Sequence, residues 1–236
     1  MGRRAGKSEI GDGRGPTRSA TRTARSQAAF ADTNVDNLTG HEEWRGLRVT
    51  GGIVSARAFE YLVEISESMF RSVAFTAAPF AHTRLTDTIF EDCELSGANF
   101  GDSSLIRVEF RRCRASGLQF STAQITDVLF DDCKLDDANF RMSKLERVTF
   151  SATALRTADF SNAKGTDIAM FDSQLDECDF TKSQLVRLAL NGSKLDSIRS
   201  ASALRGATID TDQQIAFAMK LLAESAIHVS NERGPA

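Results

Sequence analysis

Large apolar residues recur at every fifth position through the middle of this chain. Counting in fives from Ile65 to Leu195, 25 of the 27 positions hold a large apolar residue, and the exceptions are Ala115 and Gly165. The residue two positions earlier is usually small, and the other three are largely polar. Neither an α-helix nor a β-strand repeats every five residues, so the pattern predicts a coil with one inward-pointing large residue per five.

Residues 20 positions apart share their character, which predicts that four five-residue units close one turn. One column holds larger residues in the otherwise small slot: Val108, Val128, Val148, Ile168 and Leu188. An exposed column alternates in charge: Asp87, Arg107, Asp127, Arg147, Asp167 and Arg187. Neighbouring coils lie about 4.8 Å apart, so each charge would meet opposite charges above and below, as structural support. We predict a four-sided solenoid over residues 65–199.

The segments before this solenoid have a different pattern. Trp44, Val49, Val54 and Phe59 are also spaced by five but are out of phase with Ile65, so residues 41–64 are predicted to form an N-terminal cap or an irregular first coil. Residues 1–40 are rich in Gly, Ser, Thr and Arg with little to bury, and we expect a disordered tail.

A helical segment is predicted after the solenoid. Thr211 with Gln214 matches a capping box, and a largely apolar run follows, which places a helix at about 212–225. Its apolar surface is wider than one stripe, so within the region 200–228 the helix either packs only on its own solenoid or also offers surface to a second subunit. Residues 229–236 are predicted to be a tail.

The charge of the chain is unevenly distributed. The net charge is -3, yet residues 1–30 carry seven basic and two acidic side chains, a net of +5, which leaves -8 for the other 206 residues. The tail arginines, Arg3, Arg4, Arg14, Arg18, Arg22 and Arg25, suit non-specific contact with nucleic acid, although a solvated tail without a role is favoured. No apolar run approaches 18 residues and no secretion signal is evident, so we expect a cytoplasmic protein without membrane association.

No constellation of residues in the chain indicates catalysis. Gly6-Lys7-Ser8 lacks the rest of a phosphate-binding loop, and the three histidines are isolated. Cys93, Cys113 and Cys133 are the only cluster that resembles a metal site. They occupy a slot that elsewhere holds Ala, Ser and Thr, which favours inert buried filler. We predict a non-enzymatic protein without metal or cofactor.

Acidic residues cluster in two places that the 20-residue repeat separates by two coils. These are Asp131, Asp132, Asp136 and Asp137, and then Asp172, Asp176, Glu177 and Asp179. A negative face of this kind is able to imitate the phosphate backbone of DNA and occupy a DNA-binding site. Residues 61–209, however, carry 17 basic and 21 acidic groups, a net of only -4, which favours an ordinary solvated surface.

Several five-residue units resemble the consensus of the pentapeptide-repeat proteins, in which a small residue precedes Asp or Asn and then Leu or Phe. Ala98-Asn99-Phe100, Ala138-Asn139-Phe140, Ala158-Asp159-Phe160 and Cys178-Asp179-Phe180 match it closely. The resemblance covers more than half of the chain. It implies an all-β solenoid, a right-handed quadrilateral β-helix of pentapeptide repeats with a C-terminal α-helix.

Within that family the chain resembles the quinolone-resistance branch, because its shaft is uninterrupted and residues 204–213 lead into Ala216-Phe217-Ala218. The resemblance implies a homodimer through the C-terminal helix, with Ile215, Phe217, Met219, Leu221 and Leu222 as contacts. It also implies an acidic, DNA-like rod that binds DNA gyrase, with partner-binding residues Asp131, Asp132, Asp136, Asp137, Asp172, Asp176 and Glu177. A general protein-interaction scaffold without DNA mimicry is the alternative, and neither hypothesis involves sequence-specific binding of nucleic acid.

Overall fold

The chain forms a right-handed quadrilateral β-helix in the computed structural model, which describes residues 30–195 and 197–227. Its strands are β1 Ala31–Thr33, β2 Glu43–Arg45, β3 Leu47–Thr50, β4 Glu64–Ser66, β5 Met69–Arg71, β6 Arg84–Glu91, β7 Ser104–Arg111, β8 Gln124–Asp131, β9 Lys144–Ser151, β10 Lys164–Phe171 and β11 Gln184–Ala189. Neighbouring strands are parallel, and from β6 to β11 each pairs with the next at an offset of 20 residues. The prediction of a four-sided solenoid is therefore confirmed.

The four faces of the shaft are named here by their inward columns of large residues. Face A carries Ile65, Leu85, Leu105, Ile125, Leu145, Gly165 and Leu185; face B carries Phe70, Phe90, Phe110, Phe130, Phe150, Met170 and Leu190. Face C carries Phe75, Leu95, Ala115, Leu135, Leu155, Leu175 and Leu195; face D carries Phe80, Phe100, Phe120, Phe140, Phe160 and Phe180. Nearly all of these side chains are fully buried.

Two stacks of phenylalanine rings fill the axis from opposite sides. On face B, neighbouring rings from Phe70 to Phe150 lie 4.9–5.3 Å apart between centroids and are nearly parallel. On face D, rings from Phe80 to Phe180 are spaced 4.5–5.3 Å. From Phe100 to Phe160, rings of the two stacks meet edge to face at 5.7–6.3 Å. Both geometries are favourable for aromatic pairs.

Every fifth residue turns a corner in the left-handed backbone conformation. The corners run from Glu67 to Gly192, and φ lies between 49° and 62° at each non-glycine corner. This conformation is unfavourable for most residues and best tolerated by Gly, Asn and Asp. Of the 26 corners, eight are Asp, three are Gly and one is Asn. Aspartate at an edge therefore suits the backbone conformation of the corner and also places negative charge on the surface.

The small residues before each inward position bond to the coil below. Ser103 donates its hydroxyl to the Phe80 carbonyl at 2.6 Å, and Thr153 donates to the Phe130 carbonyl at 3.2 Å. Cys113 donates its thiol to the Phe90 carbonyl at 3.4 Å in the same way. All three side chains are buried, so this slot satisfies carbonyl oxygens that the axis cannot hydrate.

Neighbouring side chains fill the two gaps in the inward columns. Leu118, which occupies a slot that usually holds a small residue, is fully buried near Ala115. A Cβ built on Gly165 would lie 3.1 Å from Leu185 Cδ2 and 3.2 Å from Ile168 Cγ1. The core thus has no room for a larger residue at Gly165, in agreement with local refilling of the lost volume.

The N-terminal cap is a full coil of 21 residues. Trp44 pairs with Ile65 and Val49 with Phe70, and the one extra residue lies between Phe59 and Ile65, which explains the shift in phase. The predicted disordered tail, 1–40, falls mostly outside the described residues. Its last part differs from the prediction, since β1 and a 3-10 helix, Val35–Leu38, are ordered elements.

The ordered structure begins before residue 41 because the open end of the core is covered there. Leu38 is buried, and its carbonyl accepts a hydrogen bond from Trp44 Nε1 at 3.2 Å. The Asn34 side chain caps the 3-10 helix by accepting from Asp36 N at 3.0 Å. The segment therefore covers the indole ring of Trp44, which would otherwise face water.

The C-terminal helix, α1, spans Gln214–Glu224 and follows a 3-10 helix, Ala201–Leu204. The predicted capping box is wrong, because Thr211 makes no side-chain cap and Gln213 is the N-cap residue, without a capping bond of its own. Gln213 instead donates Nε2 to the Leu190 and Ser193 carbonyls at 2.8 and 2.6 Å. A buried amide thus closes the last coil. No helix within the described ranges is long and apolar enough to cross a membrane.

The column of alternating charges lies on the edge between faces A and B, called the A/B edge; the other edges are named in the same way. Its arginines form bidentate ion pairs with the aspartate of one neighbouring coil only. Arg107 donates to both carboxylate oxygens of Asp87 at 2.7 and 2.6 Å. Arg147 binds Asp127 and Arg187 binds Asp167 in the same manner. The bond from Arg187 holds the pKa of Asp167 below its usual range. Each arginine thus reaches the carboxylate one coil earlier, and the column supports the stacking of coils.

A second charge cluster lies on face B and its edge with face C, around Arg112. Its guanidinium donates to Glu91 at 2.7 Å and to Asp92 at 2.8 Å, and Arg71 donates to Glu91 at 2.6 Å. The bonds from Arg112 hold the pKa of both carboxyl groups below the usual range, against the opposing effect of burial. This cluster makes stability depend on pH in the acidic range.

Replacing Phe130 tests the ring stacks. Phe130 lies 4.9 Å from both Phe110 and Phe150 and contacts the rings of face D. We expect Phe130→Ala to lower the free energy of unfolding by about 3–5 kcal/mol, as measured by urea denaturation, and Phe130→Leu to cost less, since face C uses leucine at the equivalent position. A loss below about 1 kcal/mol for Phe130→Ala would contradict the role of the stacks.

Replacing Arg112 tests the pH dependence. Because the folded-state pKa values of Glu91 and Asp92 are lowered, the unfolded chain binds more protons below about pH 4, so stability is present above that pH and lost as pH falls through the folded values. In Arg112→Gln the decline of the urea midpoint below about pH 4 should become shallower. Arg114→Gln, which removes an exposed arginine of the same coil, is the control, and equal slopes in all three proteins would refute the prediction.

Candidate partner-binding surface

The seven acidic residues predicted to bind a partner border one face of the shaft. Asp132 and Asp172 are corner residues of the B/C edge, while Asp137 and Glu177 are corner residues of the C/D edge. The other three complete the set: Asp131 lies on face B beside its edge, and Asp136 and Asp176 lie on face C. The structure thus brings all seven to face C and its margins, in two coils separated by a third.

The coil between them carries no acidic residue on these edges. Ala152 and Thr157 are its corner residues, and Arg156 lies on face C between Asp136 and Asp176. Arg156 binds Asp136 through NH1 at 3.3 Å and also donates to the side chain of Gln174. One cation therefore interrupts the carboxylates at the middle of face C.

The carboxylates differ in how far they are neutralised. Arg199 pairs with Glu177 at 2.9 Å, and Arg156 pairs with Asp136 as described. Asp137 instead accepts a hydroxyl bond from Thr157 at 2.5 Å, which leaves its charge in place. Within the described part of the chain, Asp131, Asp132 and Asp176 form no ion pair, so the uncompensated negative charge extends from the B/C edge across face C to Asp137.

The predicted dimer residues divide between two sides of α1. Phe217 and Leu221 pack against the solenoid's own core, and Leu222 is partly buried. Ile215 and Met219 point outward with 77% and 53% of their surface exposed. The helix is also held by Glu224, which accepts hydrogen bonds from the Ala201 and Ser202 amides at 2.7 and 3.0 Å. A narrower apolar surface than predicted remains for a second subunit.

The cysteine column offers buried thiols. Cys93, Cys113 and Cys133 each donate to a carbonyl of the preceding coil at 3.3–3.4 Å, as the hydroxyl groups of this slot do. The neighbouring thiol and burial raise the pKa of Cys93, and burial raises the pKa of Cys178 to about 12. All four cysteines are free, and thiols with raised pKa values are poor nucleophiles and poor metal ligands.

Sequence reasoning did not anticipate the left-handed corners. The signal was available, since Asp, Asn and Gly recur two positions after the inward residue at 12 of 26 corners. Asp132, Asp137 and Asp172 occupy such corners, so the fold alone accounts for part of their acidity. Asp131, Asp136 and Asp176 lie outside the corners and have no such backbone requirement.

The comparisons with known proteins agree with this geometry. The model for the pentapeptide repeat region matches residues 63–140 and 123–199, more than half of the chain. No curated protein matches the sequence. Full-length QnrB1, a plasmid-mediated fluoroquinolone resistance protein, is a similar solved structure with 21% identity, coverage of 80% of this chain and 94% of that chain, and a TM-score of 0.47.

Another solved structure is similar to this chain to a lesser degree. HetL, a pentapeptide repeat protein involved in heterocyst differentiation regulation from the cyanobacterium Nostoc sp. strain PCC 7120, has 13% identity, coverage of 67% of this chain and 89% of that chain, and a TM-score of 0.34. Structural likenesses of this size assign nothing to this chain, and the match to the family model decides the assignment. This chain belongs to the pentapeptide-repeat family.

Proposed function

We propose that this chain is a non-enzymatic, cytoplasmic binding protein that presents its acidic B/C and C/D edges to a DNA-binding site of a type II topoisomerase such as DNA gyrase. The observation that carries the proposal is the placement of seven carboxylates around face C of an uninterrupted shaft. The resemblance to the quinolone-resistance branch, stated from the sequence, supports the choice of partner. Protection of the enzyme from inhibitors follows if both occupy the same region.

The solenoid suits this role because its charges are fixed in place. Along each edge the corner carboxylates lie two coil spacings apart, about 9.6 Å, and a backbone bonded on both sides prevents them from rearranging. A preorganised row of negative charge attracts a basic DNA-binding groove at long range and loses little entropy on binding. Binding of this kind weakens steeply as salt is added.

A homodimer through α1 would double the length of the acidic rod. Ile215 and Met219 are large apolar side chains that the described part of the shaft leaves exposed, and an isologous two-fold contact would bury both on each subunit. Two solenoids joined at this end resemble a longer segment of duplex than one solenoid does.

A general interaction scaffold is the second candidate, and the mixed charge of these edges favours it. Arg112 occupies the B/C edge one coil before Asp132, and Arg156 and Arg199 pair with two of the predicted carboxylates. A scaffold would bind its partner through face C without depending on the row of carboxylates.

Neutral substitutions that keep the corner conformation separate these functions. Asparagine tolerates the left-handed conformation, so Asp131→Asn with Asp132→Asn and Asp137→Asn removes three charges at little cost to the backbone. We expect this variant to lose affinity for gyrase at least about tenfold, measured by surface plasmon resonance, together with its effect on supercoiling in the presence and absence of a quinolone.

A matched pair of single substitutions provides the control. Asp102 is a corner residue of the D/A edge that accepts a hydroxyl bond from Thr122 at 2.5 Å, just as Asp137 accepts from Thr157. Asp137→Asn should weaken binding, whereas Asp102→Asn should leave it unchanged. Undiminished binding by the triple variant would exclude DNA mimicry and support the scaffold, and absence of native binding would exclude gyrase as the partner.

Substitutions on the exposed side of α1 test the proposed dimer. Ile215→Glu with Met219→Glu places charges on the exposed apolar surface and should convert a dimer to monomers at low micromolar concentration, as measured by sedimentation velocity. Gln214→Glu adds a charge at another exposed position of the helix and should leave the dimer intact. A native protein that sediments as a monomer, or a double variant that remains dimeric, would contradict the proposed interface.

A further inference from the structure

Face B differs from the other three faces in the burial of its outward side chains. The residue immediately before each inward residue points away from the axis. On face B five of the seven such residues from Met69 to Ala189 are buried: Ile89, Glu109, Thr149, Ala169 and Ala189, with exposures of 4%, 1%, 7%, 2% and 2%. At the equivalent positions of faces A, C and D, none of the described residues is buried. An ion-paired side chain such as Glu109 is covered in part by its own partner, Arg111, but a run of buried outward residues that includes the small Ala169 and Ala189 indicates cover from outside the shaft.

The shaft itself does not supply that cover. From Met69 to Ala189 the strands of face B pair in a continuous parallel ladder with no insertion, so no described segment between these residues folds over it. The buried surface is amphipathic, since Glu109 lies in the same column as Ala169 and Ala189, which form a small apolar cluster with Phe171. A segment that combines cations with small apolar residues fits such a surface.

Face B is also negatively charged along its B/C edge. Its outward and corner positions from Met69 to Gly192 hold six carboxylates, Glu91, Asp92, Glu109, Asp131, Asp132 and Asp172, against three arginines, Arg71, Arg111 and Arg112, a net of -3. The three arginines pair with Glu91, Asp92 and Glu109 in the first half of the face. In the second half of the face, Asp131 and Asp132 form no ion pair with the described residues and keep their negative charge.

We propose that residues 1–29 of this chain dock along face B and cover it. β1, which begins at Ala31, lies at the first position of the same ladder of nine strands, so the preceding chain emerges at the end of this face. Twenty-nine residues reach up to about 95 Å when extended, and eight coil spacings measure only about 38 Å. The segment carries seven basic and two acidic residues, a net of +5.

The segment at the other terminus fits this surface less well. Residues 228–236 number nine and contain one arginine and one glutamate, so they offer neither the positive charge nor the length to cover the whole face. Docking of residues 1–29 makes the basic segment an internal ligand, and it screens Asp131 and Asp132 from other cationic partners.

Thiol reactivity in the full-length chain tests this proposal without any topoisomerase. Ala169→Cys places a thiol in the buried column of face B, and Ala154→Cys places one at the equivalent position of face C, where Ala154 is half-buried. The four native cysteines are buried and free, so an aromatic disulfide reagent reports mainly on the new thiol. We expect Ala169→Cys to react at least about tenfold more slowly than Ala154→Cys.

Charge inversion of the segment identifies what provides the protection. Arg3, Arg4, Arg14, Arg18, Arg22 and Arg25 are replaced by glutamate in both cysteine variants, which changes the segment's net charge from +5 to -7. The rate at Ala169→Cys should then rise to within about threefold of Ala154→Cys, and added salt should accelerate it in the unaltered chain. Thr149→Cys repeats the test if Ala169→Cys does not fold.

Two outcomes would overturn the proposal. Equal rates at the two thiols with the native segment would show that face B has no cover. Protection that persists after charge inversion would assign the cover to another occupant. Dependence of that protection on protein concentration would identify a second copy, and its loss on deleting residues 228–236 would identify the C-terminal segment.

Discussion

A left-handed backbone conformation at every fifth residue is the constraint on which this molecule depends. The corner at each of these positions bends the chain by about a quarter turn, so four units return it to the same face one coil higher. Strands then pair in parallel at an offset of 20 residues, and the inward residues of successive coils stack. The two columns of phenylalanine rings and the hydroxyl and thiol bonds to the preceding coil all follow from that return.

The same constraint places acidic residues on the surface. Aspartate tolerates the corner conformation, and eight of the 26 corners use it. Where an arginine lies one coil above, as Arg107 does over Asp87, the carboxylate is neutralised by an ion pair that links the two coils. Where none does, as at Asp132, the charge remains available to a partner. Whether a corner carboxylate stabilises the fold or stays available therefore depends on the residue 20 positions later. At Asp132 that residue is Ala152, which cannot form an ion pair.

The sequence predicts the periodic parts of the structure well and the ends poorly. A five-residue pattern repeated 27 times determines the shaft, its four sides and even the refilling around Gly165. Three features occur only once and so cannot be detected from a repeating pattern: the N-terminal cap, the position of β1 and the buried Gln213 amide. The candidate surface was found as a cluster of charges. Its neutralisation by Arg156 and Arg199 depends on side-chain geometry that spacing does not give.

DNA mimicry requires that this protein and duplex DNA exclude each other from the same surface. The most direct test is a competition measurement, in which a fluorescent duplex bound to gyrase is titrated with this protein and the anisotropy of the duplex is followed at several salt concentrations. The account predicts complete displacement with an apparent affinity that falls as salt increases. A ternary complex, in which the duplex stays bound while this protein binds as well, would contradict it.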